Sequence, residues 1–125
     1  MVKDNDEGIT WLEDVEEKDY PAAESYLGLL YPYEQVKEIV QLLRAAPITQ
    51  FKAKDIFRAS QLSLLGVSNS HVEKDLRKIS RGEALSPLLL VRDQANGKVV
   101  IADGYHRLCA IYECNEDVWI RCKIV

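Results

Sequence analysis

A chain of 125 residues, 47% of them hydrophobic, is long enough to bury a single core, and its formal net charge is -4 at neutral pH. An acidic total disfavours non-specific coating of nucleic acid. No apolar run approaches the roughly 20 residues that a membrane-spanning helix needs. The three cysteines contain no CxxC pair, which predicts reduced thiols packed as small apolar groups in a cytoplasmic protein.

Acidic and basic side chains are segregated along the chain. Residues 1–40 hold 11 acidic and 3 basic side chains, whereas residues 52–81 hold 7 basic and 3 acidic ones. The acidic segment is a candidate surface for a protein partner. The basic segment can hold one phosphate group or a short stretch of nucleic-acid backbone.

The first 48 residues predict an acidic helical extension. Residues 4–8 are expected to be frayed, and a short helical or extended anchor follows, formed by Trp11, Leu12 and Val15. One helix is predicted over residues 22–30, after Tyr20-Pro21. A second is predicted over residues 33–46, where apolar side chains recur at helical spacing before Pro47: Val36, Ile39, Val40 and Leu43.

Residues 49–125 predict a small mixed sheet with packed helices, so that the whole chain has an α+β fold in one compact unit. A helical turn is expected within residues 52–60. Ser70 and Glu73 have the spacing of a capping box that opens a helix ending at Gly82. Three apolar side chains of that helix are expected to face the core: Val72, Leu76 and Ile79.

The last third of the chain predicts a hairpin, a helix and a closing strand. The hairpin strands cover residues 86–92 and 98–102, with Asn96-Gly97 at the end of the turn. The helix covers residues 105–114 and the last strand residues 118–125.

The junction between the second hairpin strand and the following helix is the strongest candidate site. A helix start leaves backbone N–H groups unpaired and carries a partial positive charge, and Gly104 allows close approach of a ligand. His106 and Arg107 add donors and charge, and we expect Arg107 to be exposed there. The pattern therefore favours a phosphate group as the bound anion.

The sequence Asp103-Gly104-Tyr105-His106-Arg107-Leu108-Cys109-Ala110 resembles the box of the ParB/sulfiredoxin-like superfamily, in which a strand leads into (D/G)-G-x-H-R and an apolar helix. Upstream, Val72–Ile79 and Leu85–Val91 are similar to the helix and strand that precede this box in the family. The resemblance covers residues 51–125. It implies binding of a nucleotide or another phosphate ligand, accompanied by Mg²⁺.

The resemblance also implies ligand contacts outside the box. In the family, the positions of His71, Lys74 and Lys78 lie on a helix that touches the nucleotide phosphates. An Arg at the position of Arg58 lies near the transferred phosphate. The alternative is that Lys74 and Lys78 are ordinary solvated helix residues and that Arg58 is a surface residue.

In an enzymatic version, phosphotransfer or nucleotide hydrolysis, the candidate catalytic residues are Asp103, His106 and Arg107. Arg107 and His106 stabilise charge on the phosphate, and Asp103 or Glu83 holds the metal ion or acts as a base. Asp103 has an alternative role as the N-cap of the helix. His106 has an alternative role as a structural hydrogen-bonding residue.

Tyr105 separates this chain from sulfiredoxin, which has Cys at that position. Cys109 is expected to point into the core, so thiolate-based reduction of sulfinic acid is not expected. Tyr105 is instead expected to stack on a base or close the pocket, and the alternative is that its ring packs over the start of the helix. No helix-turn-helix region follows the box, so centromere recognition of the ParB kind is not expected either.

The leading hypothesis is therefore a domain that binds a nucleotide or another phosphate ligand. Two alternatives belong to other classes. One is a nucleic-acid-binding or nuclease module, which the acidic total disfavours. The other is a non-catalytic interaction domain that presents the acidic helices of residues 11–43.

Overall fold

The described part of the chain, residues 2–4, 8–66 and 68–125 of a computed structural model, combines short strands with helices. In chain order these elements are β1 (Val2–Asp4), β2 (Thr10–Leu12), α1 (Asp19–Leu27), α2 (Tyr33–Ala45), β3 (Thr49–Lys52), α3 (Ala53–Ser60), α4 (Ser70–Ser80), β4 (Leu88–Asp93), β5 (Lys98–Asp103), α5 (Tyr105–Cys114) and β6 (Trp119–Ile124). The predicted α+β class is confirmed.

Four strands form a mixed sheet in the order β3-β6-β4-β5. β3 pairs antiparallel with β6, β6 pairs parallel with β4, and β4 pairs antiparallel with β5. The predicted hairpin between β4 and β5 is confirmed. A 3₁₀ turn, Gln94–Asn96, and Gly97 in the left-handed region connect its strands.

The centre of the sheet is buried on both faces, which explains the apolar run in β4. Leu88 and Leu90 belong to one core, which includes side chains from α3 and α5. Leu89 and Val91 belong to a second core on the other face, built with α1 and α2. Complete burial of such side chains stabilises the fold by roughly 1.5–3 kcal/mol each. The acidic N-terminal helices thus pack directly on the sheet that carries the candidate site.

The first helix begins earlier than its sequence pattern predicts. α1 begins at Asp19 rather than at residue 22 and ends at Leu27. Pro21 therefore lies in the first turn of α1. Proline is tolerated there because the first N–H groups of a helix have no intrahelical partner. This earlier start places the Asp19 side chain inside the protein, where it is 4% exposed.

The predicted helical turn within residues 52–60 is confirmed as α3, but one strand was not predicted and two local predictions are wrong. Thr49–Lys52 is strand β3, and three of its four residues are exposed, so it lacks the alternating pattern of a half-buried strand. Asn69, not Ser70, caps α4, because its side-chain oxygen accepts the N–H groups of His71 and Val72. Cys114 is exposed rather than packed, whereas the other two cysteines are buried.

Other local predictions agree with the structure. The predicted anchor before α1 contains strand β2, and Trp11 at its centre is buried. In α4, Val72 is buried and both Leu76 and Ile79 pack against neighbouring cores. The predicted fraying falls mainly on residues 5–7, which lie outside the described residues. Among the described helices, none combines the length and apolar character needed to cross a membrane.

Candidate functional site

The strand-to-helix junction is built around Gly104, which is the N-cap residue of α5. Its φ of 108° is strained for any residue with a side chain, and an added Cβ would lie 2.6 Å from Leu88 Cγ. No described side chain caps α5. The predicted N-cap role of Asp103 is wrong, because the Asp103 carboxylate is turned to Arg107 instead. Within the part of the chain that the structure describes, the N–H groups of the first turn of α5 therefore have no side-chain cap.

The first turns of α4 and α5 meet at this junction. The rings of His71 and His106 lie 4.8 Å apart between centroids and are tilted by 37°. At α4 the first N–H groups are already used, because Asn69 Oδ1 accepts from the N–H of His71 at 3.0 Å and from that of Val72 at 3.3 Å. Of the two adjacent helix starts, only α5 therefore has first-turn N–H groups without a side-chain cap among the described residues.

A cavity of about 190 Å³ lies between these two helix starts. Its lining contains all of the predicted site residues except Lys78, Arg58 and Glu83, and it adds Asp75, which is buried. The complete lining is His71, Lys74, Asp75, Asp103, Gly104, Tyr105, His106 and Arg107. The polar side chains of two sequence-distant segments thus converge on one small space.

Three predicted residues are not part of this cavity lining. Lys78 is half-buried one turn further along α4. Arg58 lies on α3 with an 87% exposed side chain and pairs with Asp55 at 3.8 Å. Glu83, a candidate metal ligand or base, is exposed and lies 3.5 Å from an Arg81 nitrogen.

Arg107 is not exposed as predicted, because its side chain retains only 17% exposure. Its Nη2 donates to Asp103 Oδ2 at 3.2 Å, to Asp19 Oδ2 at 3.5 Å and to the Pro87 carbonyl at 3.5 Å. Its Nε is buried without a hydrogen-bond partner among the described residues. One nitrogen of the guanidinium thus contacts two carboxylates, and of these two only Asp103 lines the cavity.

Arg107 contacts Asp19, which in turn accepts a hydrogen bond from Ser86. Neither Asp19 nor Ser86 was predicted from the sequence as a site residue. Ser86 Oγ donates to Asp19 Oδ2 at 2.5 Å and accepts the N–H of Glu16 at 3.0 Å. Asp19 lies 88 positions before Arg107, so no local pattern could connect them. Asp75 was also missed, but a signal existed for it. It follows His71 by four positions on one helix, so the two side chains share a face.

Burial shifts the pKa values of Asp103 and His106 in the direction that disfavours their charged forms. Burial raises the pKa of Asp103, the nearby Asp19 carboxylate adds to the rise, and Arg107 opposes it. Burial lowers the pKa of His106, His71 and Arg107 add to the fall, and Asp75 opposes it. His106 is therefore a neutral donor and acceptor at neutral pH, and it gains a proton only below the usual range.

Cys109 points into the core, as predicted from the sequence. Cys109 is completely buried, and burial raises the pKa of its thiol. A protonated, buried thiol is a poor nucleophile. Tyr105, at the position of the sulfiredoxin Cys, donates its O–H to the Ser63 carbonyl and so joins α5 to the loop after α3.

The lowered pKa of His106 predicts a pH-dependent stability. The unfolded chain binds a proton on this group before the folded one does, so the free energy of unfolding should fall as pH decreases from about 7.5 to about 5.5. Chemical denaturation across that range measures the slope. His106→Gln should flatten it, because glutamine does not titrate.

Asp103 contributes in the opposite direction, since a raised carboxyl pKa makes the folded state more stable as pH falls. Comparing His106→Gln with wild type isolates the histidine contribution. An identical slope in both proteins would contradict a desolvated His106.

The metal prediction for Asp103 finds little support in the geometry. Among residues 2–4, 8–66 and 68–125, no group of three or more His, Cys, Asp or Glu side chains is arranged to hold a metal ion. The Asp103 carboxylate is already engaged by Arg107. Mg²⁺ as a companion of a bound nucleotide stays a prediction from the resemblance.

A larger groove of about 400 Å³ adjoins the polar cavity. Both spaces are lined by the same four junction residues, Asp103 to His106. The other side chains of the groove are mainly apolar or aromatic and come from α1, the loop after α3 and β5: Ala22, Tyr26, Leu62, Ile101 and Ala102. One side of the junction is thus polar and the other is apolar.

Comparison of the chain with protein-family models, with curated proteins and with solved structures gives no match. Fold and site define a small α+β domain with a polar cavity between two helix starts. The resemblance to the ParB/sulfiredoxin-like superfamily stays a prediction.

Proposed function

We propose that this domain binds a phosphate-bearing small molecule in the polar cavity between α4 and α5. The observation that carries the proposal is the uncapped start of α5, whose open N–H groups adjoin a cavity lined by two histidines and a lysine. Unpaired helix N–H groups and the positive end of the helix dipole favour an anion. Phosphate has the oxygen acceptors that such a cluster of donors requires.

The charge balance of the cavity defines how an anion is held. Lys74 and Arg107 are offset by the carboxylates of Asp75 and Asp103, so the formal charges of these four side chains cancel. Binding therefore depends on the donors of α5 and on Lys74, which is exposed. Arg107 is less available, since two carboxylates already surround it.

The adjoining apolar groove supports a nucleotide as the ligand class. A nucleotide combines a phosphate with a planar base, and the polar cavity and the groove share the junction residues between them. Tyr105 lies at this boundary, where its ring can stack on a base. Phosphotransfer and nucleotide hydrolysis stay predictions from the resemblance, as does the Mg²⁺ requirement.

A thermal-shift measurement tests the proposal. Inorganic phosphate, ADP, ATP and CTP, each with and without Mg²⁺, should raise the melting temperature of the protein. A ligand at 100 times its Kd stabilises the folded state by about 2.7 kcal/mol. Adenosine, which lacks the phosphate, should have a much smaller effect.

Lys74→Ala is the sharpest site variant, because Lys74 is exposed and its removal should leave the fold intact. We expect it to weaken phosphate binding by roughly fivefold to tenfold, as for one lost charged hydrogen bond. Lys98→Ala is the matched control, since Lys98 is an exposed lysine at the opposite end of β5. Equal losses in both variants, or no phosphate effect on wild type, would show that this cavity is not the site.

The nucleic-acid alternative has its own outcome in the same experiment. Binding of a short DNA duplex in place of nucleotides, with affinity that falls steeply as salt rises, would support it. The interaction-domain alternative stays a prediction. Exposed apolar residues near the turn between α1 and α2 are compatible with it: Leu29, Leu30 and Tyr33.

A further inference from the structure

The Asp19 side chain is a buried carboxylate that contacts the candidate site without lining its cavity. It reaches Arg107 Nη2 from α1 at 3.5 Å, and it is not among the residues that line the cavity. We propose that Asp19 sets the phosphate affinity of the site as an internal counter-anion, competing with the ligand for Arg107. This inference rests on the proposed function and concerns the regulation of the same site.

The contacts of Arg107 leave it open to such competition. Its Nη2 group is shared among three acceptors at 3.2–3.5 Å, and Nε has no partner among the described residues. Strong charge-assisted bonds from Arg to a carboxylate or phosphate are shorter, about 2.7–2.9 Å, and are often bidentate. A phosphate group in the cavity therefore offers Arg107 a better partner than either carboxylate does now.

The position of Asp19 is fixed on the protein side. Ser86 donates to its carboxylate, and the first turn of α1 favours a negative charge at that point. The next residue, Tyr20, accepts a hydrogen bond from the buried Lys123 at 3.1 Å. Asp19 is thus held in place by its neighbours. A ligand that binds Arg107 must therefore weaken the contact between the guanidinium and Asp19.

The sign of the effect follows from the charges. One guanidinium between two carboxylates carries a net charge of -1, which repels a phosphate anion. Replacing Asp19 by Asn removes this repulsion and retains the shape of the side chain. The carboxylate of Asp19 therefore weakens phosphate binding, although it stabilises the guanidinium in the free protein.

The test measures the Kd of inorganic phosphate by calorimetry for wild type and Asp19→Asn. We expect Asp19→Asn to bind about threefold to tenfold more tightly, the size of one partly screened charge contact. Glu24→Gln is the matched control, because it removes one carboxylate from the exposed side of the same helix. Its phosphate affinity should equal that of wild type.

Ser86→Ala provides the opposite perturbation. Without the Ser86 hydroxyl, the Asp19 carboxylate loses one hydrogen-bond donor and interacts more strongly with Arg107. Phosphate binding should therefore weaken. A purely structural role would make both variants weaker, so tighter binding by Asp19→Asn is the result that distinguishes the two roles. Should Asp19→Asn fail to fold, a Ser86→Ala affinity equal to wild type still overturns the inference.

A carboxyl titration by NMR measures whether the charge of Asp19 acts on the site. Asp19 contributes to the raised pKa of Asp103, so Asp19→Asn should lower that pKa. Wild type that binds phosphate, with Asp19→Asn equal or weaker, overturns this inference and leaves the proposed function intact. Wild type that binds no phosphate overturns both.

Discussion

Arg107→Ala is expected to destabilise the folded protein by about 3 kcal/mol and to lower its Tm by roughly 10 °C. The guanidinium lies between two carboxylates, and Asp19 is 4% exposed. Its removal leaves a buried negative charge without a cation. Thermal and urea denaturation at neutral pH measure the loss.

A matched control separates this effect from ordinary loss of an ion pair. Arg77 pairs with Glu73 at 2.9 Å, but both side chains are more than half exposed. Arg77→Ala should therefore change stability by less than about 1 kcal/mol. A Tm for Arg107→Ala as close to wild type as that of Arg77→Ala would mean that Arg107 is exposed in solution.

The stability loss of Arg107→Ala should shrink as pH falls. Arg107 lowers the pKa of Asp103, so its removal lets the folded-state pKa of that carboxyl rise further. A raised carboxyl pKa makes the folded state bind protons more readily than the unfolded one, and stability then increases as pH decreases toward the unfolded value. A loss that is independent of pH would contradict this assignment of the destabilisation to unpaired carboxylates.

The parts of the fold that the sequence predicted correctly are those with strong periodicity or strong turn chemistry. α2 repeats apolar residues at helical spacing, and α5 follows a buried strand and a glycine. The β4–β5 hairpin has Asn96-Gly97 at its turn. β3 was missed because an edge strand with three exposed residues of four has neither alternation nor an apolar run.

The sequence could predict those residues of the candidate site that lie close together along the chain. It could not predict the residues that reach the site from distant segments. A helix start after a glycine indicates Asp103 to Arg107, and a second helix start indicates His71 and Lys74. The partners that determine the state of Arg107 come from α1 and from the segment before β4. Their contact depends on how α1 packs across β5, which no local spacing encodes. The predicted exposure of Arg107 was wrong for that reason.

Gly104→Ala is expected to be among the most destabilising single-methyl additions in this chain, at about 2–5 kcal/mol. Two independent costs add. The backbone φ of 108° is strained for alanine, and the new Cβ would lie 2.6 Å from Leu88 Cγ and 3.0 Å from Arg107 Nη2. Leu88 is completely buried and cannot move aside. The start of α5 must shift, so phosphate binding should be lost together with stability.

Gly97→Ala separates the two costs. Gly97 has a φ of 64° and no atom within 4 Å of an added Cβ, so this variant loses only the conformational freedom of glycine, about 1 kcal/mol. A double-mutant cycle then identifies the clash. Leu88→Ala should cost less in the Gly104→Ala background than in wild type, because it removes the atoms that the new methyl group meets. Strictly additive losses would show that the junction relaxes without meeting Leu88.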